Sequence, residues 1–95
     1  MKIEKKITLK AKNEKIDELK SLLESMVKPS QDEIGCIKYE LYQLSDEPEV
    51  FFLIEVWEDA PSLEAHKKTG HFLHFKSVVG DLIVEKGSVP INMLG

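Results

Sequence analysis

The sequence predicts an α+β domain with the element order β-α-β-β-α-β and an antiparallel sheet. Three observations carry this. Phe51-Phe52-Leu53-Ile54-Glu55-Val56-Trp57 is apolar at both strand parities and broken only by Glu55, the pattern of a central strand covered on both faces. Ile16, Leu19, Leu22, Leu23, Met26 and Val27 recur at helical spacing ahead of Pro29. Ser45-Asp46-Glu47-Pro48-Glu49 is turn chemistry between two strand-like runs, which makes a hairpin.

Taken in order, Ile3, Ile7 and Leu9 share one parity against Glu4, Lys6, Thr8 and Lys10, with Lys5 the exception, so the first strand buries one face. Asn13 suits a helix N-cap, because its side-chain oxygen can accept an orphaned backbone N–H. The helix is expected over 14–28, with Glu24 and Lys28 as a surface pair and Pro29 as its stop. A strand from Cys36 to Leu44 follows, in which the apolar parity slips after Leu41, as a β-bulge would produce. Asp59 can cap a second helix, and Pro61 costs no hydrogen bond in its first turn. Thr69-Gly70 breaks that helix. A third runs from His71 to Val79, with Phe72, Phe75 and Val79 on one stripe and Gly80 as its end. Asp81 to Glu85 is the last strand. The tail at 87–95 carries Val89, Ile91, Met93 and Leu94, apolar enough that it is expected to pack on a partner subunit.

This order is the ferredoxin-like split arrangement, with helices on one face of the sheet. The other face then needs cover, since a bare apolar sheet exceeds what soluble monomers tolerate. A homodimer joined sheet to sheet hides it with one self-complementary interface.

The 95 residues make one domain, 1–95, with room for one modest core. Net charge is −4, and the basic residues are dispersed along the chain, which argues against nucleic-acid or anionic-membrane partners. Cys36 is the only cysteine and cannot form an internal disulfide, so a cytoplasmic setting is expected. No signal peptide and no apolar run of the ~20 residues that cross a bilayer is expected either.

Gly35-Cys36 with Tyr39, then Phe52-Leu53-Ile54-Glu55-Val56-Trp57, Leu63-Glu64-Ala65-His66 and Thr69-Gly70-His71-Phe72 resemble the antibiotic biosynthesis monooxygenase family. The resemblance runs over 35–85, and the element order extends it to the whole chain. It implies a small dimeric α+β barrel and is greatest to the branch of cofactor-free quinol monooxygenases and of an enzyme that processes a phosphorylated autoinducer. Haem-degrading members differ: they carry Trp where this chain has His66, and their iron-ligating His falls on Lys76. A protonated ammonium cannot ligate iron, which disfavours haem chemistry.

Candidate functional residues have ordinary structural duties open to them as well. His66 and His71 flank the helix break and could take a proton from a phenol or enol, or could simply shape the loop. Glu55 could be a desolvated base, or could pair with a lysine across the sheet. Tyr39 could donate to a substrate oxygen, while Trp57, Phe72 and Phe75 read equally as pocket wall or core. His71 and His74 stand at i, i+3, but a metal site needs a third ligand, so none is expected. Cys36 carries no activating signal.

The resulting expectation is a cofactor-independent monooxygenase, using O2 on a quinol, anthrone or similar electron-rich aromatic. The alternatives are an isomerase of a small phosphorylated carbonyl compound, and a non-catalytic, stress-related ligand-binding dimer.

Overall fold

The computed structural model describes residues 1–95. β1 (Ile3–Ala11) is followed by a 3-10 turn at Asn13–Lys15 and α1 (Ile16–Gln31); then come β2 (Cys36–Gln43), β3 (Val50–Trp57), α2 (Ala60–His66), α3 (Gly70–Val79) and β4 (Ile83–Pro90). The four strands form one antiparallel sheet in the order β2-β3-β1-β4. β3 lies in the interior of the sheet, as its near-continuous apolar run predicts. This is the α+β ferredoxin-like arrangement, with the helices on one face.

The core lies between that face and α1. Leu19, Leu22, Leu23 and Met26 recur on one stripe of α1 and meet Leu9, Ala11, Phe51 and Leu53 from the sheet. Each large apolar side chain fully removed from water contributes ~1.5–3 kcal/mol.

Several boundaries differ from the sequence expectation. Asn13 does not cap α1; it lies in the 3-10 turn, and α1 starts at Ile16 with no side-chain cap. Pro29 does not end the helix either: its fixed φ is helical, and α1 runs on to Gln31 despite the missing N–H and the crowding of the carbonyl one turn back. The chain turns instead at Asp32, whose N–H donates to the Lys28 carbonyl. The bulge in β2 falls at Ile37, between the pairs Cys36–Trp57 and Lys38–Val56, and not after Leu41. This leaves Ile37 half exposed and swings Tyr39 and Leu41 to the helix side. Gly80 closes α3 at φ −58, without the left-handed turn a terminal glycine often supplies. Finally, β4 continues to Pro90, so 87–90 is strand paired with β1 and only 91–95 lies beyond it.

The open sheet face is an apolar stripe rather than an apolar plane. Phe52 and Ile54 of β3 run down its middle, and Val56, of the same parity, is already buried within the chain. The ladder places Glu4 and Lys6 of β1 on one side and Lys38 and Glu40 of β2 on the other. Tyr42 stacks on Phe52 at 4.9 Å, and the Lys6 ammonium sits 4.7 Å above the same ring.

Candidate active site

Two loops build the site. The first joins α1 to β2 and is clamped by its own backbone: Glu33 N–H donates to the Ser30 carbonyl, Cys36 N–H to the Glu33 carbonyl, and Glu58 N–H to the Gly35 carbonyl. Gly35 is required there. Its φ is +85°, and a Cβ would stand 2.1 Å from Ser62 Oγ. The Gln31 side chain adds a bond to the Tyr39 carbonyl at 3.1 Å, tying the end of α1 to β2.

The second loop is the break between α2 and α3. Asp59 caps α2 as expected, its carboxylate accepting from Ser62 N–H at 2.9 Å; the Ser62 hydroxyl first, and then this N–H, lower the Asp59 pKa. Thr69 works in two directions. Its hydroxyl donates to the His66 carbonyl at 2.8 Å and accepts from Phe72 N–H at 3.2 Å, so one side chain closes α2 and caps α3. His66 and His71, five residues apart, are thereby turned toward each other.

They meet on Glu33. The Glu33 Oε2 lies 2.7 Å from His66 Nδ1 and 2.7 Å from His71 Nε2. Both rings donate to one carboxylate oxygen, so a neutral His66 keeps its proton on Nδ1 and leaves Nε2 basic. The His66 ring is 2 % exposed and is enclosed by Trp57 at 4.6 Å, Phe72 at 5.1 Å and Tyr39 at 5.8 Å between centroids.

His66 also lines a cavity of about 220 Å³ between the helices and the sheet. Of the residues expected at a site, Tyr39, Glu55, Phe72 and Phe75 line it too. Trp57 and His71 do not. Trp57 is fully buried behind the cavity, and its Nε1–H donates to Glu55 Oε1 at 3.0 Å. Glu55 was expected to be a free base or a partner of lysine. Its hydrogen bond comes from indole instead, although Lys5 stands opposite it on the β1–β3 ladder.

Burial pushes the Tyr39 phenol well above its usual range, with Glu55 adding to the rise, so the hydroxyl remains a donor at any ordinary pH. The neighbouring Ser30 hydroxyl, fully buried and without a hydrogen-bond partner of normal geometry, offsets little of this. Burial, then Glu33 and Glu55, push the Cys36 thiol up to about 11, which fits its lack of an activating signal.

Glu33, His66 and His71 are the one group whose donor atoms could share a metal ion, all within 4.8 Å of one another. The sequence offers His71 and His74 no third ligand; the fold instead groups His71 with Glu33 and His66, and His74 is exposed and takes no part. The 2.7 Å separations are those of N–H donors on a carboxylate, and a metal would have to displace both protons.

Sequence reasoning missed Glu33 and the convergence of the lysines on one rim. Glu33 sits in a polar connection with no local signature. Lys5, Lys67, Lys76 and Lys86 line the cavity from four separate segments. The one available hint was Lys5, which breaks the alternation of β1 because it faces the cavity.

No helix of the chain is long and apolar enough to cross a membrane. Among known proteins, the chain is 31% identical over 83 residues to "Uncharacterized protein sll1783" of Synechocystis, covering 87% of this chain and 56% of that one, so it spans little more than half the length of that relative. It is 30% identical over 86 residues to "Putative monooxygenase YcnE" of Bacillus subtilis, covering 90% of this chain and 86% of that one. The fold matches the crystal structure of PA3566 from Pseudomonas aeruginosa with a TM-score of 0.93 at 30% identity, over 99% of this chain and 95% of that one. The model of the antibiotic biosynthesis monooxygenase family matches residues 3–78. The chain therefore belongs to the antibiotic biosynthesis monooxygenase family.

Proposed function

We propose that the chain is a cofactor-independent monooxygenase that uses O2 to oxidise a quinol, anthrone or similar electron-rich aromatic. The observation that carries this reading is the buried His66, its Nδ1 held by Glu33 and its ring lining a largely apolar cavity. O2 is a triplet and reacts slowly with closed-shell organics, but a phenolate or enolate can give it one electron directly. The catalyst then needs a base, a donor for the developing oxyanion and a dry wall.

His66 Nε2 is the base. It takes the hydroxyl proton, and the Glu33 carboxylate supports the imidazolium that results, as the acid of a triad does. Tyr39 is the donor. The deprotonated substrate passes an electron to O2, the carbon radical and superoxide combine to a peroxide anion, the proton returned from His66 makes it a hydroperoxide, and loss of water with the remaining C–H hydrogen leaves a carbonyl. For a CH2 carbon, one oxygen atom enters the product and the two hydrogens leave with the other. His71 steadies Glu33 from outside the cavity, a positioning role. Apolar cavities of ~150 Å³ hold benzene, so the available space suits a substituted single ring better than three fused ones. Phe72 and Phe75 form its wall, and Glu55, held by Trp57, borders it.

The working unit in this reading is a cytoplasmic homodimer joined through the stripe of Phe52 and Ile54, with the residues after Pro90 packed on the partner. Sedimentation should give a dimer, and Phe52→Asp a monomer; a wild-type monomer at micromolar concentration overturns that part.

Oxygen uptake on a panel of quinols and anthrones tests the chemistry. Uptake that survives a chelator and is lost in His66→Ala is expected. Turnover of a phosphorylated ketone without uptake favours the isomerase. No turnover, with a ligand that only raises the melting temperature, favours a binding module.

A further inference from the structure

The charge around the cavity runs opposite to that of the chain. Seventeen acidic residues outnumber thirteen basic ones overall, yet the cavity is lined by four lysines and a single carboxylate. The four lysines come from β1 (Lys5), the end of α2 (Lys67), α3 (Lys76) and β4 (Lys86), positions far apart in sequence that the fold brings to one rim.

Two of them have acidic company. Lys5 stands across the ladder from Glu55, and Lys67 lies 3.6 Å from Glu64. Lys76 and Lys86 form no ion pair with any acid of the chain. Unpaired cations beside an apolar, partly enclosed space attract an anion more strongly than the same charges on an open surface, because the low-dielectric walls focus their field.

We infer that the cavity takes an anionic substrate, a small ring bearing a carboxylate or phosphate that is held by Lys76 and Lys86 while its hydroxyl meets His66. This rests on reading the cavity as the substrate site. The same lysines favour the phenolate once its proton has moved, so the collar serves both selection and chemistry.

Three probes test it by calorimetric titration: 2,5-dihydroxybenzoate, its neutral methyl ester and 4-hydroxyphenyl phosphate. The two anions should bind about tenfold more tightly than the ester at about 20 mM NaCl, and most of that gap should close at about 200 mM, where the screening length is near 7–8 Å. The Lys76→Gln/Lys86→Gln variant should lose the gap while binding the ester as the wild type does. Lys20→Gln, an exposed position on α1, should keep it. A tighter grip on the phosphate identifies that group as the natural handle, and a tighter grip on the benzoate a carboxylate.

An ester that binds as well as the anions overturns the inference, as does an anion preference that survives the double substitution or the absence of any anion binding. Oxygen uptake, measured separately, keeps the two readings apart. Anion-selective binding without uptake removes the oxygenase and leaves the collar, whereas uptake on neutral quinols with no preference for anions does the reverse.

Discussion

His66 Nδ1 and Glu33 Oε2 lie 2.7 Å apart across thirty-three residues of chain, and His71 Nε2 reaches the same oxygen from the other side. One carboxylate thus orients two imidazoles, of which only His66 borders the cavity. That asymmetry ranks the substitutions.

His66→Ala should abolish oxygen uptake, whereas His71→Ala should reduce it by much less. Glu33→Gln retains the shape but not the charge, and turnover should fall by ~10²–10⁴-fold, as when the acid of a triad is neutralised. Steady-state rates with the pH profile of each variant are the measurement. Equal losses in the His66 and His71 variants would mean that both rings meet substrate.

Trp57→Phe removes the donor to a carboxylate that is 2 % exposed. Leaving Glu55 buried without it should cost ~1–3 kcal/mol. Adding Glu55→Leu should recover part of the loss, because an apolar side chain asks for no donor. Urea denaturation of both variants gives the answer, and a neutral Trp57→Phe would show that another group satisfies Glu55.

Gly35→Ala should lower stability by ~1–2 kcal/mol from the left-handed φ alone, with the clash against Ser62 Oγ added. Ser62→Gly in the same chain should return the steric share and not the backbone share. Because Gly35 is two residues from Glu33, turnover in Gly35→Ala should fall further than stability does.

The Cys36 thiol sets a pH dependence. Its folded pKa stands at about 11 against an ordinary 9.0, so between those values the unfolded chain has lost a proton that the folded chain keeps. Stability should therefore be unaffected by this group below about pH 8 and fall as pH rises through 9 to 11. The buried Tyr39 phenol extends the decline in the same direction. Denaturation midpoints at a series of pH values should show the drop, shallower in Cys36→Ala, and iodoacetamide should react slowly at pH 8. Rapid alkylation there would contradict a raised thiol.

Much of the architecture could be read along the chain because its causes are local. Apolar residues spaced three and four apart mark α1 in the sequence, and the run from Phe51 to Trp57 declares a central strand by composition alone. Asp59 and Thr69 cap their helices through bonds that reach only three residues. His66 and His71 were visible as candidates chiefly because they fall in the stretches that resemble the family, and also because they flank a break that the sequence spells out. The residues that complete the site were not. Glu33 sits in an unremarkable polar loop, and nothing within ten residues of it says that two histidines will converge on it. The lysines read as dispersed because, in sequence, they are; only the crossing of β1 and β4 with the ends of α2 and α3 makes a collar of them. Periodicity and capping are short-range forces written in neighbouring residues, whereas a shared carboxylate and a charged rim depend on distances that exist only after the chain has folded.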